Sequence, residues 1–201
     1  MMPTPTHLPA FSLCVYCGSR LGTNPLFEAA ATDVGTWIGQ HGGELVYGGG
    51  NAGLMGVVAR ATLAAGGTVY GVIPKALMDR ECALTTCTEL HVVDTMHERK
   101  AMMADRADAF LALPGGVGTF EELFEVWAWR QLGYHSKPLG LLNTAGYYDT
   151  LLTFMAQTVD AEFVGAWQMN LLHTDSSPAR LLPNLVQQAG FGSSSGLASK
   201  L

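Results

Sequence analysis

Ala109-Phe110-Leu111-Ala112-Leu113-Pro114-Gly115-Gly116-Val117-Gly118-Thr119-Phe120-Glu121-Glu122 decides how this chain folds. Its first five residues are an apolar run too short for a helix and closed by Pro-Gly, which reads as a buried strand. A glycine loop follows, and from Thr119 the apolar residues recur at helical spacing. Strand, glycine turn and helix in immediate succession form one step of a βα unit, the repeating element of a parallel sheet.

The same alternation extends in both directions. Residues 11–17, 44–48, 68–73, 90–93, 109–113 and 138–142 read as strands. Residues 25–41, 53–65, 95–106, 119–133, 148–160 and 177–189 read as helices. The implied architecture is a single α/β domain over 10–189, Rossmann-like and doubly wound, with a mainly parallel sheet. Residues 1–9 are Pro-rich and 190–201 Gly/Ser-rich, so both are expected to be flexible tails.

Composition agrees with one enzyme-sized globule. The chain has 201 residues, 48% hydrophobic and 14% charged, with a net charge of −6. The apolar content can bury a core, and the acidic balance offers no overall field for nucleic acid or an anionic membrane. No window approaches the ~18 apolar residues of a membrane span, and the N-terminus lacks a basic n-region. A phosphate-bearing ligand would have to be small and held by local groups.

Cys14, Cys17, Cys82 and Cys87 read as reduced thiols in a cytoplasmic protein. Cys14-x-x-Cys17 lies on a strand, where the two thiols point to opposite faces, and no second close pair completes a zinc site. No metal is expected. The terminal Ser199-Lys200-Leu201 matches a peroxisomal address, read here as chance.

In a doubly wound sheet, ligands collect where strand ends lead into helices. Four such segments are expected to line one crevice: Cys17 to Arg20, Gly48 to Gly53, Pro74 to Glu81, and Pro114 to Thr119. Gly48-x-Gly50-x-x-Gly53 matches a dinucleotide fingerprint, but the next strand, Thr68 to Pro74, ends without the acid that would bind a ribose. Those glycines serve helix–strand packing, close approach to a mononucleotide, or both. Pro114 to Thr119 is the stronger signal. Its glycines let amides turn inward at a helix N-terminus, a phosphate cradle without a Walker lysine, or else a bare strand-to-helix turn.

Thr119-Phe120-Glu121-Glu122 fits a capping box, with Thr119 at N-cap and Glu122 at N3. Glu122 also stands beside the loop mouth, where sugar hydroxyls or an attacking water would suit a carboxylate. Arg99 and Lys100 open a helix over the same crevice. Basic side chains there oppose the helix dipole, which an anionic ligand would offset, although a solvated surface pair is the alternative.

With these residues assembled, the chain resembles the LOG ("Lonely guy") family of cytokinin riboside 5′-monophosphate phosphoribohydrolases from about Val15 to Leu182. The matching blocks include Val15-Tyr16-Cys17-Gly18-Ser19, Val46-Tyr47-Gly48-Gly49-Gly50, Gly53-Leu54-Met55-Gly56 and Met96-His97-Glu98-Arg99-Lys100. The most specific is P-G-G-x-G-T-x-x-E, Pro114 to Glu122, followed by Lys137 to Asn143 and Gly146-Tyr147-Tyr148-Asp149. Sequences of this kind have also carried a "lysine decarboxylase" label, for which no lysine here has a recognisable pyridoxal-phosphate setting.

The resemblance implies hydrolysis of an AMP or N6-modified AMP to free base and ribose 5-phosphate, in a homodimer, without cofactor or metal. It implies catalytic roles for Arg99 and Glu122. Substrate contacts are implied at Gly18, Ser19, Gly49, Gly50, Met55, Glu81, Lys100, Gly115, Gly116, Val117, Gly118, Thr119 and Glu121. Val117 stands where many relatives carry Tyr, and Ala128 where many carry Thr, both beside the expected base pocket. On this reading the loop amides and Lys100 or Arg20 hold the 5′-phosphate, while Glu122 stabilises an oxocarbenium-like state and helps water attack.

Trp127, Trp129 and Met103 are expected to supply apolar surface for a prenyl tail. A helix apolar on several sides, with Phe120, Leu123, Phe124 and Trp127 on one stripe and Val126, Trp129 and Leu132 elsewhere, points to cover by a second subunit. The competing function is a module that binds or senses a nucleotide without cleaving it.

Overall fold

Strand β1 (Ser12–Tyr16) occupies the middle of the sheet, where both of its faces are buried. The chain then steps outward through β2 (Glu44–Tyr47), β3 (Thr68–Pro74) and β4 (Glu89–Val93). It returns to the other side of β1 for β5 (Ala109–Ala112), β6 (Leu139–Leu142) and β7 (Leu172–Asp175). The order is β4-β3-β2-β1-β5-β6-β7, and every pairing is parallel. The computed structural model describes residues 8–78 and 82–191.

Helices α1 (Pro25–Gln40), α2 (Gly53–Ala64) and α7 (Pro178–Gln188) cover one face. Helices α3 (Met96–Arg106), α4 (Val117–Gln131) and α5 (Asp149–Asp160) cover the other, and a short α6 (Ala166–Met169) follows α5. Strand alternation assigns the residues to these two cores. Leu13, Val15 and Cys17 pack with α1 and α2, while Cys14 and Tyr16 pack with α3 and α4. The two thiols of Cys14-x-x-Cys17 are therefore on opposite sides of the sheet, and neither is in a disulfide.

The fold class expected from the sequence is the one observed. Strand β7 and helix α6 were not anticipated. Leu172-His173-Thr174-Asp175 is a short, half-polar edge strand, so it carries no apolar run to betray it. The domain reaches slightly beyond 189, since Phe191 donates to the Val186 carbonyl and packs on the first core. Residues 1–7 and 192–201, which hold most of both expected tails and Ser199-Lys200-Leu201, lie outside the described residues. No helix among the described residues is long and apolar enough to cross a membrane.

The amino ends of the strands are closed by a structural network. Glu44, 4% exposed, receives Arg106 through Nε at 2.6 Å and Nη2 at 2.9 Å, and the Ser12 hydroxyl at 3.0 Å. A buried carboxylate needs such a full set of partners. The carboxyl ends are different. There the loops after β1 and β5 run in opposite directions from adjacent strands, and the sheet opens into a crevice.

Candidate active site

The crevice contains two adjoining cavities. The smaller, about 200 Å³, is lined by Cys17, Gly18, Ser19, Met55, Arg99, Gly116, Val117, Gly118, Thr119 and Glu122. The larger, about 390 Å³, shares Gly18, Ser19 and Gly116 with it and adds Arg20, Phe27, Leu54, Gly115 and Tyr147 among others. The loops after β1 and β5, joined by the Gly18 amide donating to the Pro114 carbonyl at 3.1 Å, thus form a common wall.

Helix α4 begins at Val117, two residues before the position expected from the sequence. Gly116 is its N-cap, in extended conformation (φ −101°, ψ −156°), and has no side chain to cap with. Thr119 is therefore the third helical residue and is buried, so the capping box expected of Thr119 and Glu122 does not form. The same Thr-x-x-Glu pattern does close a box at the start of α3. There Thr95 Oγ1 accepts from the Glu98 amide, and Glu98 accepts from the amides of Asp94 and Thr95.

An uncapped helix start leaves the first amides, those of Gly116 to Thr119, without intrahelical acceptors and adds the positive end of the dipole. Two of these residues are glycines for which the protein gives no reason. Neither Gly116 nor Gly118 has a positive φ, and a Cβ at either would meet no atom within 4 Å. Gly115 is the opposite case, since a Cβ there would overlap the Thr119 side chain. Space kept open against bare amides at a helix N-terminus is what an anion needs.

Arg99 and Glu122 are brought to this cavity from different helices. Arg99 is 5% exposed, and its Nη2 donates to the Gly48 carbonyl at 3.2 Å. A Cβ at Gly48 would overlap that guanidinium, so Gly48 is required by the arginine. Gly53 fits against the Ser19–Arg20 backbone. The apparent dinucleotide fingerprint is thus occupied by packing between loops. Glu122, one turn inside α4, is half-buried. Burial, reinforced by the charge of Glu122, pushes the Cys17 thiol far above its ordinary pKa. Cys17 at the cavity wall is consequently a protonated thiol and no nucleophile.

Several expected contacts lie elsewhere. Lys100 points away from Arg99's side of α3 and binds Glu121 at 2.5 Å and Glu125 at 3.0 Å, tying α3 to α4. Burial opposes its charge, but the two carboxylates outweigh that and raise its pKa. Neither Lys100 nor Glu121 lines either cavity. The dipole of α3 is answered by Glu98, so the basic pair does not by itself call for an anion.

Gly49 and Gly50 also lie outside the cavity walls. They hold the 82–84 segment, with Leu84 donating to Gly49 and Asn51 to Cys82. Glu81 lies outside the described residues.

Met103 and Trp127 are buried in the second core and Trp129 packs partly against it, so none is available to a prenyl tail at these cavities. Val126 is likewise covered by its own chain. The described lysines, Lys75, Lys100 and Lys137, are each engaged away from the crevice. Conversely, Tyr147 and Tyr148, quoted in the sequence only as part of a motif, prove to hold the glycine loop. Tyr147 Oη donates to the Gly115 carbonyl at 2.5 Å and Tyr148 Oη to the Leu113 carbonyl at 2.6 Å.

Residues 55–185 match a protein-family model described as "Possible lysine decarboxylase". Among curated proteins, the chain is 48% identical over 181 residues to a "Probable cytokinin riboside 5′-monophosphate phosphoribohydrolase" of the LOG group from Oryza sativa subsp. japonica, covering 90% of this chain and 79% of the relative. It is 47% identical over 173 residues to a cytokinin riboside 5′-monophosphate phosphoribohydrolase of Arabidopsis thaliana, covering 86% and 80%. Among solved structures, the molybdenum cofactor carrier protein of Chlamydomonas reinhardtii superposes with a TM-score of 0.67 at 21% identity, covering 89% of this chain and 98% of that one. That likeness concerns the fold alone.

Proposed function

The chain belongs to the LOG family of cytokinin riboside 5′-monophosphate phosphoribohydrolases, and on that premise we propose that its crevice cleaves the N-glycosidic bond of an adenosine 5′-monophosphate carrying an N6 substituent. The observation that carries the reading is the cavity in which Arg99 and Glu122 face an uncapped helix start with open space at Gly116 and Gly118.

The amides of Gly116 to Thr119 receive the 5′-phosphate, with the Ser19 hydroxyl beside them. Lys100 has no part in this, being held by two carboxylates. Anchoring the phosphate spends binding energy far from the reacting bond on orienting the sugar. The C1′–N9 bond breaks with its electron pair on the base, and positive charge develops on the ribose ring. Glu122 stabilises that charge and accepts a proton from the water that attacks C1′. The proton ends on the base, so substrate and water give free base and ribose 5-phosphate. Arg99, rigid between Gly48 and Met96, supplies a fixed positive charge across the cavity.

At about 200 Å³ the smaller cavity falls short of the ~300–1,000 Å³ typical of ligand pockets. Phosphate and ribose fit inside, and the base extends over the rim at Met55 and Val117, the latter 82% exposed. An apolar rim favours an N6-prenyl group, each buried methylene contributing ~0.8 kcal/mol. Incubation with AMP and with isopentenyladenosine 5′-monophosphate should release free base from both, faster from the prenylated nucleotide. Tight nucleotide binding with no base released from either would instead identify a sensing module.

An open rim also calls for cover. Leu132 and Tyr134 are exposed at the far end of α4, and Val117 at its start. A twofold dimer that packs along α4, from the crevice rim to the far end of the helix, accounts for them. Light scattering at micromolar concentration should give twice the monomer mass of 21.4 kDa; a monomer would contradict the dimer.

A further inference from the structure

We propose that Tyr147 is a positioning residue that aims the Gly116 amide at the substrate phosphate, an inference that rests on the phosphate placement above. Its hydroxyl donates to the Gly115 carbonyl at 2.5 Å, from the side of the loop that faces the larger cavity. Among the described residues, which include Gly115 and Gly116, no peptide bond is cis. In a trans peptide the carbonyl and the following N–H point in opposite directions. Drawing the Gly115 carbonyl toward Tyr147 therefore turns the Gly116 N–H away from it, toward the cavity that Gly116 shares with Arg99 and Glu122. A donor on the carbonyl also polarises the peptide and strengthens its N–H as a donor.

The tyrosine is itself held in place. Its ring stands edge-on to Phe27, with centroids 5.4 Å apart, and to Tyr148 at 4.9 Å. Asn143 fixes the turn that carries it, with Oδ1 accepting from the Tyr148 amide and Nδ2 donating to Asp149, both at 2.7 Å. Gly115 is closely packed, with Gly18 and Thr119 crowding the space where a side chain would stand. A hydroxyl on a packed ring thus sets the orientation of the peptide between Gly115 and Gly116.

Tyr148 provides an internal control made by the chain itself. Its hydroxyl holds the Leu113 carbonyl in the same manner. The next nitrogen belongs to Pro114, which has no N–H. Tyr148 can therefore hold the loop but has no donor to aim. A merely structural role would make the two tyrosines alike, whereas a positioning role separates them.

The test measures binding by calorimetry, with ribose 5-phosphate and AMP as probes, in the wild-type protein, Tyr147→Phe and Tyr148→Phe. Tyr147→Phe keeps both ring contacts and should bind both probes about five- to tenfold more weakly, the size of effect expected from weakening one charge-assisted hydrogen bond. Tyr148→Phe should melt at lower temperature and bind both probes with wild-type affinity. Wild-type affinity in Tyr147→Phe overturns the proposal, and so does equal weakening in the two variants. Base release is assayed separately. A wild-type protein that binds AMP without cleaving it removes the proposed hydrolysis and leaves this inference standing, whereas one that binds neither probe removes both.

Discussion

Glu122→Gln should reduce turnover of the nucleotide by roughly 10² or more, with the fold and nucleotide binding kept. The helix start makes this substitution cleaner than the sequence suggests. Glu122 is not in a capping box, because α4 begins at Val117 with Gly116 as N-cap. Its exchange for an isosteric amide therefore removes no cap, and the melting temperature should stay close to that of the wild type. What it removes is a negative charge half-buried in the cavity, one strong enough to help raise the pKa values of Cys14, Tyr16 and Cys17 beyond what burial alone does. An amide can still hydrogen-bond a ribose hydroxyl, but it can neither balance an oxocarbenium-like ring nor take a proton from water. Glu121→Gln is the comparison. Its carboxylate meets Lys100 on the other side of the helix, beside Glu125, so turnover should change only slightly and stability by less than ~1 kcal/mol. A folded Glu122→Gln protein that binds AMP and turns over at the wild-type rate would take Glu122 out of the mechanism.

The second large effect is expected from Gly116→Ala combined with Gly118→Ala. Both positions have backbone angles open to any residue, and an added Cβ meets nothing in the protein within 4 Å. Inside a helix, alanine is preferred over glycine by ~1 kcal/mol, so Gly118→Ala should stabilise α4, while alanine in place of glycine at the Gly116 N-cap costs a similar ~1 kcal/mol. The two effects offset, so the double variant should melt close to the wild-type temperature. Its affinity for AMP should nevertheless fall about 10- to 100-fold, because methyl groups then stand where phosphate oxygens approach the amides, an overpacking cost of ~1–3 kcal/mol. A large loss of affinity with stability unchanged is a result that a simple turn could not produce. Unchanged affinity for AMP and ribose 5-phosphate would place the phosphate elsewhere in the crevice.

Much of this molecule is local, and what is local was legible in the sequence. Each of the first six strands is a short apolar run closed by turn residues, and each long helix has its own periodicity, so element order and the parallel sheet follow without tertiary information. The same locality gave Pro114 to Thr119 as a strand-to-helix loop and placed Arg99 and Glu122 at strand ends that face one crevice. Boundaries set by a neighbour were not legible. Thr-x-x-Glu occurs at both Thr95 and Thr119, and only the second is displaced from capping, because the glycine turn lets the helix start at Val117 and buries Thr119 against Gly115.

Directions across the fold belonged to tertiary structure alone. Arg99 and Lys100 are adjacent in the chain, yet a helix turns successive side chains by about 100°, so one enters the cavity while the other meets Glu121 and Glu125. Met103 and Trp127 have the character of a ligand pocket and the positions of core residues. Gly48 looks like a nucleotide contact and is instead the space an arginine from a distant helix requires. Tyr147 reaches Gly115 across 32 positions of sequence, a separation over which neither period nor spacing carries information. The sequence by itself determined the first six strands, the long helices, their order and the loop that gathers at the strand ends, but not the short β7 and α6. Which side chains meet there was decided only when β5 returned beside β1, because that pairing joins segments whose proximity no local preference encodes.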